Sequence, residues 1–353
     1  MGRYIARRVI YALAVLLVVS AITFILMHAI PGGPFTSEKH LPANIIANLE
    51  RRYKLDQPLI NQYLDYLYEV FIPKFSTTAP DLSSPIVDHL VRLKIGPVWF
   101  QWMNFGPSYR SVSRSVAEII RGQLPVSAQL GVLALLIGMT IGLPFGIISA
   151  LRHNTIVDYV GMGVAIIGVS VPVIVSGPIL VSVFGILLGW LPPTGWGAMP
   201  PYILGFIPRS LTWDGFFKYA IMPAFALGIG SSAIIARLTR ASLLQVLGED
   251  FIRTARAKGL SERWVIIRHA LKNSLIPVVT VMGPIFAAVI TGTFVTEQIF
   301  GVPGLGKYFI VSIGNRDYPV IMGTILLYVV ILVFANLFVD IVYAFLDPRI
   351  RYD

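Results

Sequence analysis

The chain has 353 residues, of which 56% are hydrophobic and only 13% are charged. A soluble globular domain carries about 25% charged residues, so this composition excludes an ordinary soluble domain. The net charge of +10 does not indicate nucleic-acid binding, because the charged residues cluster at the ends of apolar stretches, as membrane topology requires. The lack of cysteine excludes disulfides and cysteine nucleophiles, and the five histidines show no metal-binding spacing such as H-E-x-x-H.

Six apolar stretches are long enough to cross the membrane hydrocarbon, which takes about 20 residues of helix. They predict an all-α polytopic membrane protein. The first follows three arginines but is too long for the apolar region of a signal peptide, so we expect it to be retained. The third contains Pro172 and Pro178, so we expect it to be kinked, tilted or partly re-entrant. The predicted spans are residues 9–30, 128–151, 159–188, 220–236, 276–296 and 320–346.

The distribution of Lys and Arg predicts that both termini are cytoplasmic, since short cytoplasmic loops carry an excess of these residues. With that orientation, the short loops on the outer side hold only Arg209, Lys218, Lys307 and Arg316. The cytoplasmic side then receives six basic residues within the segment 248–277, together with Arg3, Arg7, Arg8, Arg152, Arg237, Arg240, Arg349 and Arg351.

These spans divide the chain into an N-terminal transmembrane helix (1–30), an extracytoplasmic insert (31–126), a core of five transmembrane helices (127–346) and a cytoplasmic tail (347–353). Within the insert, residues 43–53 and 59–70 have apolar side chains at helical spacing and predict two short amphipathic helices. The segment 73–85 is rich in Pro, Ser and Thr and predicts a loop.

The spans are nearly free of charge, which argues against an ion-coupled carrier, because such carriers keep ionisable residues at mid-depth to bind the coupling ion. Asp158, Glu297 and Asp340 lie at or near span ends. We expect Asp340, the deepest of them, to contact a neighbouring helix near the cytoplasmic interface. A self-contained secondary carrier is therefore the weaker alternative to a transporter that is driven by a partner.

Two segments resemble catalytic motifs, but each lacks residues that the chemistry requires. The motif GVPGLGKY (301–308) fits G-x-x-x-x-G-K, but Tyr308 replaces the hydroxyl that holds Mg²⁺, and Pro303 lacks an N–H for phosphate. An intramembrane serine protease would need G-x-S-G with a membrane histidine, and GIGSSA (228–233) does not fit. We therefore expect neither an enzyme nor a cofactor in this chain, and we expect the energy to come from a partner.

The segment GEDFIRTARAKGLSERWVIIRHALKNSLIP (248–277) carries the six basic residues, which would cost on the order of 15–20 kcal/mol at the bilayer centre. It must therefore lie outside the hydrocarbon. Residues 251–258 predict a short helix that Gly259 ends, because Gly adopts positive φ readily. Ser261 then predicts an N-cap for a second helix, with Glu262 in its first turn. From the spacing alone, this segment is either a docking element or a solvated loop that faces anionic lipid.

The same segment resembles the cytoplasmic coupling loop of binding-protein-dependent ABC importer permeases, whose pattern is E-A-A-x-x-x-G followed by I-x-L-P. Ala255, Gly259 and Leu271 match that pattern, while Arg253 and Thr254 depart from it. The runs R-T-A-R-A-K-G-L and R-H-A-L-K-N resemble the B-type subunit of dipeptide and oligopeptide importers. The resemblance covers almost the whole chain through MGRYIARRVI, IPGGPF, NFGPSYR, LPVSAQLGVLALLIG, TEQIFGVPGLGK and the C-terminal run from DYPVIMGT to LDPRIRY, whereas 71–102 is more divergent.

The resemblance implies the six-helix type I ABC importer permease fold in a bacterial or archaeal cytoplasmic membrane. It implies a second homologous permease, two cytoplasmic ABC ATPase subunits that bind ATP and Mg, and an external solute-binding protein. Peptides are the implied cargo, with nickel complexes or oligosaccharides left open. Residues 261–272 would act as a lever into the fifth span. The implied ATPase-coupling residues are Phe251, Arg253, Thr254, Ala255, Arg256, Lys258, Gly259, Leu260 and Ser261.

Small residues recur on the second, third and fifth spans, where they either line the pore or allow close helix packing. Glu297 either meets a peptide amine or caps a helix end. The insert and the loop 194–218 are either contacts for the binding protein or, for the insert helices, a structural cover over the bundle. The candidate pore-lining residues are Gly138, Gly142, Ser170, Ser176, Gly283, Gly292 and Glu297.

Overall fold

A computed structural model of the chain describes residues 2–35, 42–80, 84–111, 113–198 and 200–346. The predicted tail, 347–353, lies outside these residues. The described residues fall into two compact units. The core unit takes them from Met1–Val9, Pro125–Pro303 and Ile331–Asp353, and the insert unit takes them from Ile10–Leu124 and Gly304–Val330.

The structure is mostly helical, as the apolar stretches predict. Pro172 breaks the third span, whereas Pro178 lies inside a helix. Val171, which precedes Pro172, is extended with φ −92° and ψ 108°, as the residue before a proline prefers. The helices are, in chain order, α1 (Gly2–Ala29), α2 (Ala43–Arg52), α3 (Leu59–Phe71), α4 (Val116–Leu151), α5 (Ile156–Ser170), α6 (Val173–Leu180), α7 (Lys218–Leu247), α8 (Asp250–Ala257), α9 (Glu262–Trp264), α10 (Leu271–Ser274), α11 (Ile276–Ile290), α12 (Phe294–Phe300), α13 (Leu305–Asn315) and α14 (Tyr318–Leu346).

Four helical stretches of the described chain are long and apolar enough to cross a membrane, and they correspond to the predicted first, second, fourth and sixth spans. The predicted third and fifth spans are bent pairs of helices, with bends of 99° and 48°. The described residues therefore give four spans, or up to six if each bent pair is one span, and the count of six stays a prediction.

Several helices begin or end at residues other than the predicted span ends, and the span ends themselves stay predictions. The fourth span was expected to stop at residue 236, before two arginines, yet α7 continues to Leu247. In this extension, the guanidinium nitrogens of Arg240 lie 2.6 Å from the carboxylate oxygens of Asp158. The helix α4 begins at Val116, twelve residues before the second predicted span, and α11 ends at Ile290, before Gly292 with its φ of +99°.

The insert unit contains the two predicted amphipathic helices, α2 and α3, almost within their predicted bounds. It also contains a three-stranded antiparallel sheet that the sequence reading missed, so the all-α class holds for the spans and not for the insert. The segment 73–85 is not entirely loop, because its residues 74–76 form an edge strand. A three-residue strand is too short to show period-2 alternation. The strands are β1 (Lys74–Ser76), β2 (Val91–Ile95) and β3 (Val98–Trp102), in the order β1-β3-β2.

Candidate functional site

The predicted docking helix is present as α8, Asp250–Ala257, directly after α7. Glu249 precedes it in an extended conformation, and the N–H groups of Lys258 and Gly259 close its last turn onto Thr254 and Arg256 at 3.1 and 2.9 Å. Gly259 then has a φ of +77°, the left-handed conformation that residues with a Cβ adopt only at a cost. The helix and its glycine stop are therefore confirmed.

The second helix of the loop begins at Ser261, which lies at the N-cap position with φ −61° and ψ 145°. Its side chain makes no capping hydrogen bond, so the predicted side-chain cap is wrong. Instead, its carbonyl accepts from the N–H groups of Trp264 and Val265 at 2.9 and 3.0 Å. The helix continues through π-helical residues Val265–Ala270 into α10 and then bends before Pro277, as expected from that proline.

One face of α8 packs against the core unit. Ile252 is fully buried and Ala255 is 6% exposed. Both belong to an apolar cluster with residues of the neighbouring helices: Ala150, Leu243, Val265 and Ala270. Ala255 was expected among the outward contacts, but its small side chain lets α8 lie close to the bundle. Ala255 thus helps to hold the helix from inside.

The opposite face of the loop is exposed and both apolar and cationic. Phe251 and Leu260 are about two-fifths exposed, and Arg253, Thr254 and Lys258 are also exposed. Two further residues, Trp264 and Ile267, belong to this exposed face, and each is more than half exposed. The sequence pattern did not predict them. A Trp in a segment otherwise excluded from the membrane was the available signal for this surface. We call this set, Phe251, Arg253, Thr254, Lys258, Leu260, Trp264 and Ile267, the outer face.

An ion pair closes the turn between the two helices. The guanidinium of Arg256 donates to the Glu262 carboxylate at 2.7 and 3.1 Å, across Gly259. The hydrogen bond to Glu262 raises the pKa of Arg256 above its ordinary value. Arg253 makes a looser pair with Asp250, 3.3 Å apart, and both side chains are highly exposed. A charged contact therefore spans the turn, while the outer face keeps Lys258 and Arg253 in solvent.

The glycines proposed for the pore lie where helices touch. A Cβ on Gly138 would lie 3.2 Å from the Gly228 carbonyl, and one on Gly142 only 2.5 Å from the Ser232 carbonyl. A Cβ on Gly283 would lie 3.0 Å from Asn336. Such close approach is typical of small residues between membrane helices. For these three positions, the geometry favours packing over the lining of a path.

The remaining pore candidates lie at helix ends. Ser170 is the exposed last residue of α5, and Ser176 is partly buried in α6, so the two flank the break at Pro172. Gly292 follows the end of α11. Their place along a path stays a prediction.

Glu297 lies in α12 and is only 1% exposed. It accepts a hydrogen bond from the Ser127 hydroxyl at 2.7 Å, and its backbone N–H donates to the Thr293 carbonyl at 2.9 Å. A carboxylate this deeply buried is not presented to a passing ligand in this conformation. The geometry therefore favours a structural role for Glu297 at this helix end.

The other two carboxylates at or near span ends are also paired. Asp158 is 2% exposed and binds Arg240. Asp340 forms an ion pair with Arg8 at 2.5 Å, which matches its expected contact with a neighbouring helix. These pairings occupy the acidic groups that an ion-coupled carrier would use.

Comparisons with known proteins place the whole chain among membrane transport components. Residues 142–352 match the family described as "Binding-protein-dependent transport system inner membrane component", and residues 1–91 match its N-terminal component. A dipeptide transport system permease protein, DppB of Bacillus subtilis, is 39% identical over 99% of this chain and 98% of its own length. An oligopeptide transport system permease protein, OppB of Escherichia coli K12, is 38% identical over 100% of both chains.

Among solved structures, an amino acid ABC transporter with histidines covers 64% of this chain and 92% of its own chain. It is 16% identical, with a TM-score of 0.46.

Proposed function

The chain belongs to the binding-protein-dependent transport system inner membrane components, and from that premise we propose that it is one membrane subunit of an ATP-driven peptide importer. It would form half of the translocation path, and a second homologous permease would form the other half. The relatives named as dipeptide and oligopeptide permeases, which match over the full length, support peptides as cargo. Import of nickel complexes or oligosaccharides is the alternative, and ligand identification on the binding protein would distinguish them.

The observation that carries the proposal is the helix–glycine–helix geometry of the loop, with one buried and one exposed face. A short helix attached to its own bundle on one side and bare on the other is suited to a cleft on another subunit. Aromatic and apolar side chains ringed by cations, as on the outer face, are enriched at protein interfaces. We propose that two cytoplasmic ATPase subunits, which hold ATP and Mg, bind here and at the equivalent loop of the second permease.

The proposed coupling runs from the outer face to the spans. Because Ile252 and Ala255 pack against residues of α7 and of the second loop helix, a push on α8 would move those helices with it. The Arg256–Glu262 pair would keep the two loop helices at a fixed angle. The second loop helix leads into α11, so ATPase closure would reach the predicted fifth span and change access to the path.

The proposed orientation in the membrane places the loop 248–277 on the side of the ATPases. The protein is a multi-pass protein of the inner membrane, and both termini would be cytoplasmic, on the ATPase side. The insert and the loop 194–218 would then face the external binding protein. The division at residues 30, 126 and 346 stays part of this proposal.

The turn at Gly259 provides the sharpest test. Its φ of +77° costs a β-branched residue roughly 1–2 kcal/mol, although no atom lies within 4 Å of the added Cβ. We expect Gly259→Val to fold, to assemble with the ATPases, and to hydrolyse ATP without uptake. The matched control is Gly248→Val at the other end of α8, where φ is −84° and a side chain is tolerated. Wild-type uptake and ligand-stimulated hydrolysis in Gly259→Val would contradict the proposed coupling.

A further inference from the structure

The insert unit contains a partly open cavity of about 550 Å³ that the proposed function does not use. Cavities of roughly 300–1,000 Å³ are typical of small-molecule sites. Its walls come from the C-terminal part of α1, the link between α2 and α3, the face of α3, residues 86–89 and 104–107, and the first residues of α14. Several independent segments therefore converge on one space.

A continuous row of aromatic rings forms one wall of the cavity. Phe24 and His28 are 4.2 Å apart between ring centroids, and His28 and Tyr318 are 5.0 Å apart. The row continues from Tyr318 to Tyr109 at 6.4 Å and from Tyr109 to Tyr53 at 4.8 Å. Rings at these distances favour offset and edge-to-face contacts, so the wall is apolar and preorganised.

The charged groups around the cavity are paired, with one exception among the described residues. Lys54 binds Asp65 at 2.9 Å, and Lys74 binds both oxygens of Glu69 at 2.6 and 2.7 Å. Arg52 has no carboxylate partner in the described chain, and its guanidinium lies 5.8 Å from the ring centroid of Tyr53. The cavity therefore offers one free cation beside the aromatic wall.

Three buried polar atoms of the lining residues have no hydrogen-bond partner in the described chain: His28 Nε2, Tyr66 Oη and His89 Nε2. The Nδ1 atoms of His28 and His89 each lie within 2.9 Å of a backbone carbonyl, so each Nδ1 carries the proton and donates. Burial lowers the pKa of His89, which keeps that ring neutral. In a neutral ring with Nδ1 protonated, Nε2 can only accept, and both Nε2 atoms lack a partner; buried polar atoms of this kind are uncommon without a ligand or water.

We propose that this cavity binds a small zwitterion with an apolar body, the class that contains amino acids and short peptides. Its carboxylate would pair with Arg52, its ammonium would donate to the unpartnered histidine nitrogens and the Tyr66 hydroxyl, and its side chain would lie along the aromatic wall. The insert unit would bind this ligand whether or not the chain couples to an ATPase, so the experiment measures binding and not transport.

The first test titrates L-leucyl-L-phenylalanine into the purified full-length chain in lipid nanodiscs and measures heat by calorimetry. We expect saturable binding that Arg52→Gln weakens about tenfold, because a charged hydrogen bond is lost. Arg51→Gln is the matched control, since Arg51 is an exposed neighbour outside the cavity lining, and should bind like wild type. N-acetylated and C-amidated forms of the dipeptide should each bind more weakly. Wild-type protein without saturable heat, or equal loss in both arginine variants, would overturn the proposal.

A second variant separates ligand binding from folding. Tyr66→Phe removes only an unpartnered buried hydroxyl, so its melting temperature without ligand should be unchanged or higher. Its affinity for the dipeptide should fall about fivefold, with one hydrogen bond lost. A lower melting temperature with unchanged affinity would overturn the proposal. So would native mass spectrometry that shows a phospholipid retained by wild type and weakened by Arg52→Gln, but not displaced by the dipeptide.

Discussion

The core unit and the insert unit are held together by different contacts. In the core unit, helices approach through glycine: a Cβ on Gly142 or Gly146 would lie 2.5 or 2.6 Å from a backbone carbonyl of α7. In the insert unit, charged hydrogen bonds connect distant segments. Asp88 binds Arg121, Arg92 and Ser115, and Asp317 accepts from Ser108 and from the Tyr109 N–H.

The difference follows from the solvent around these contacts, because Gly142 and Gly146 lie within a predicted span, whereas Asp88 and Asp317 lie outside the predicted spans. Helices in lipid gain little from burying apolar surface against each other, so they associate through close backbone contact at small residues. A segment in water can carry charged side chains on its surface. It buries a charged side chain at low cost only when that side chain is paired. We therefore expect an added atom to be most harmful where α4 meets α7, and a lost partner to be most harmful at a carboxylate that binds several groups, such as Asp88.

The largest expected effect is Asp88→Ala. Both oxygens of this carboxylate accept from Arg121, at 2.9 and 2.7 Å, and only a tenth of the side chain is exposed. Removing it breaks several charged hydrogen bonds at once, to Arg121, to Arg92 and to the buried Ser115, and each is worth about 1.5–3 kcal/mol. Hydrogen exchange in residues 84–111 and a melting curve would measure the loss. Glu118→Ala, which removes an exposed pair with Arg114, should cost under about 1 kcal/mol, and equal losses would remove the distinction.

The next effect concerns the attachment of α8. Ile252→Ala should destabilise this contact by about 2–4 kcal/mol, because it opens a cavity in the cluster with Leu243 and Val265. Hydrogen exchange should rise in residues 250–257, and uptake should fall. Phe251→Ala, the neighbouring exposed position, should leave exchange unchanged and weaken only ATPase binding. If the two variants exchange alike, the assignment of inner and outer faces is wrong.

A smaller effect is expected where an atom is added to the core unit. Gly142→Ala would force its Cβ against the Ser232 carbonyl, and overpacking of this kind costs about 1–3 kcal/mol. Gly163→Ala is the control, because no atom lies within 4 Å of its added Cβ. Melting temperatures of the two variants would measure the difference. A stable Gly142→Ala with altered substrate preference would instead place this residue on the path.

The smallest effect is expected for the exposed pair at the turn. Glu262→Gln removes the partner of Arg256, but both side chains are about half exposed, so the loss should stay below about 1 kcal/mol. It should also shrink as salt is added, because surface pairs are screened. Melting curves at low and high salt, compared with those of Asp88→Ala, would show whether burial sets the size of the loss. A salt-independent loss as large as that of Asp88→Ala would contradict this view.

The features that the sequence predicted well are local. Gly259 ends α8 because of its own backbone freedom, and α2 and α3 follow from periodicity within about a dozen residues. The position of α8, the proposed docking helix, could therefore be predicted to within one residue. The face of α8 that is exposed could not be predicted from the sequence, because it depends on how α8 packs against α7 and the second loop helix. Ala255 was thus assigned outward and Trp264 was overlooked.

The sequence by itself determined the membrane class, the apolar stretches and the helix–glycine–helix loop, because hydropathy and backbone preference act over neighbouring residues. Only the tertiary structure decided the pairing of Asp158 with Arg240, 82 residues away, and of Asp88 with Arg121, 33 residues away. It also decided the edge strand β1 and the aromatic cavity of the insert unit, whose walls come from separate segments. These features depend on which distant groups meet, and packing free energy selects those partners only when the whole chain has folded.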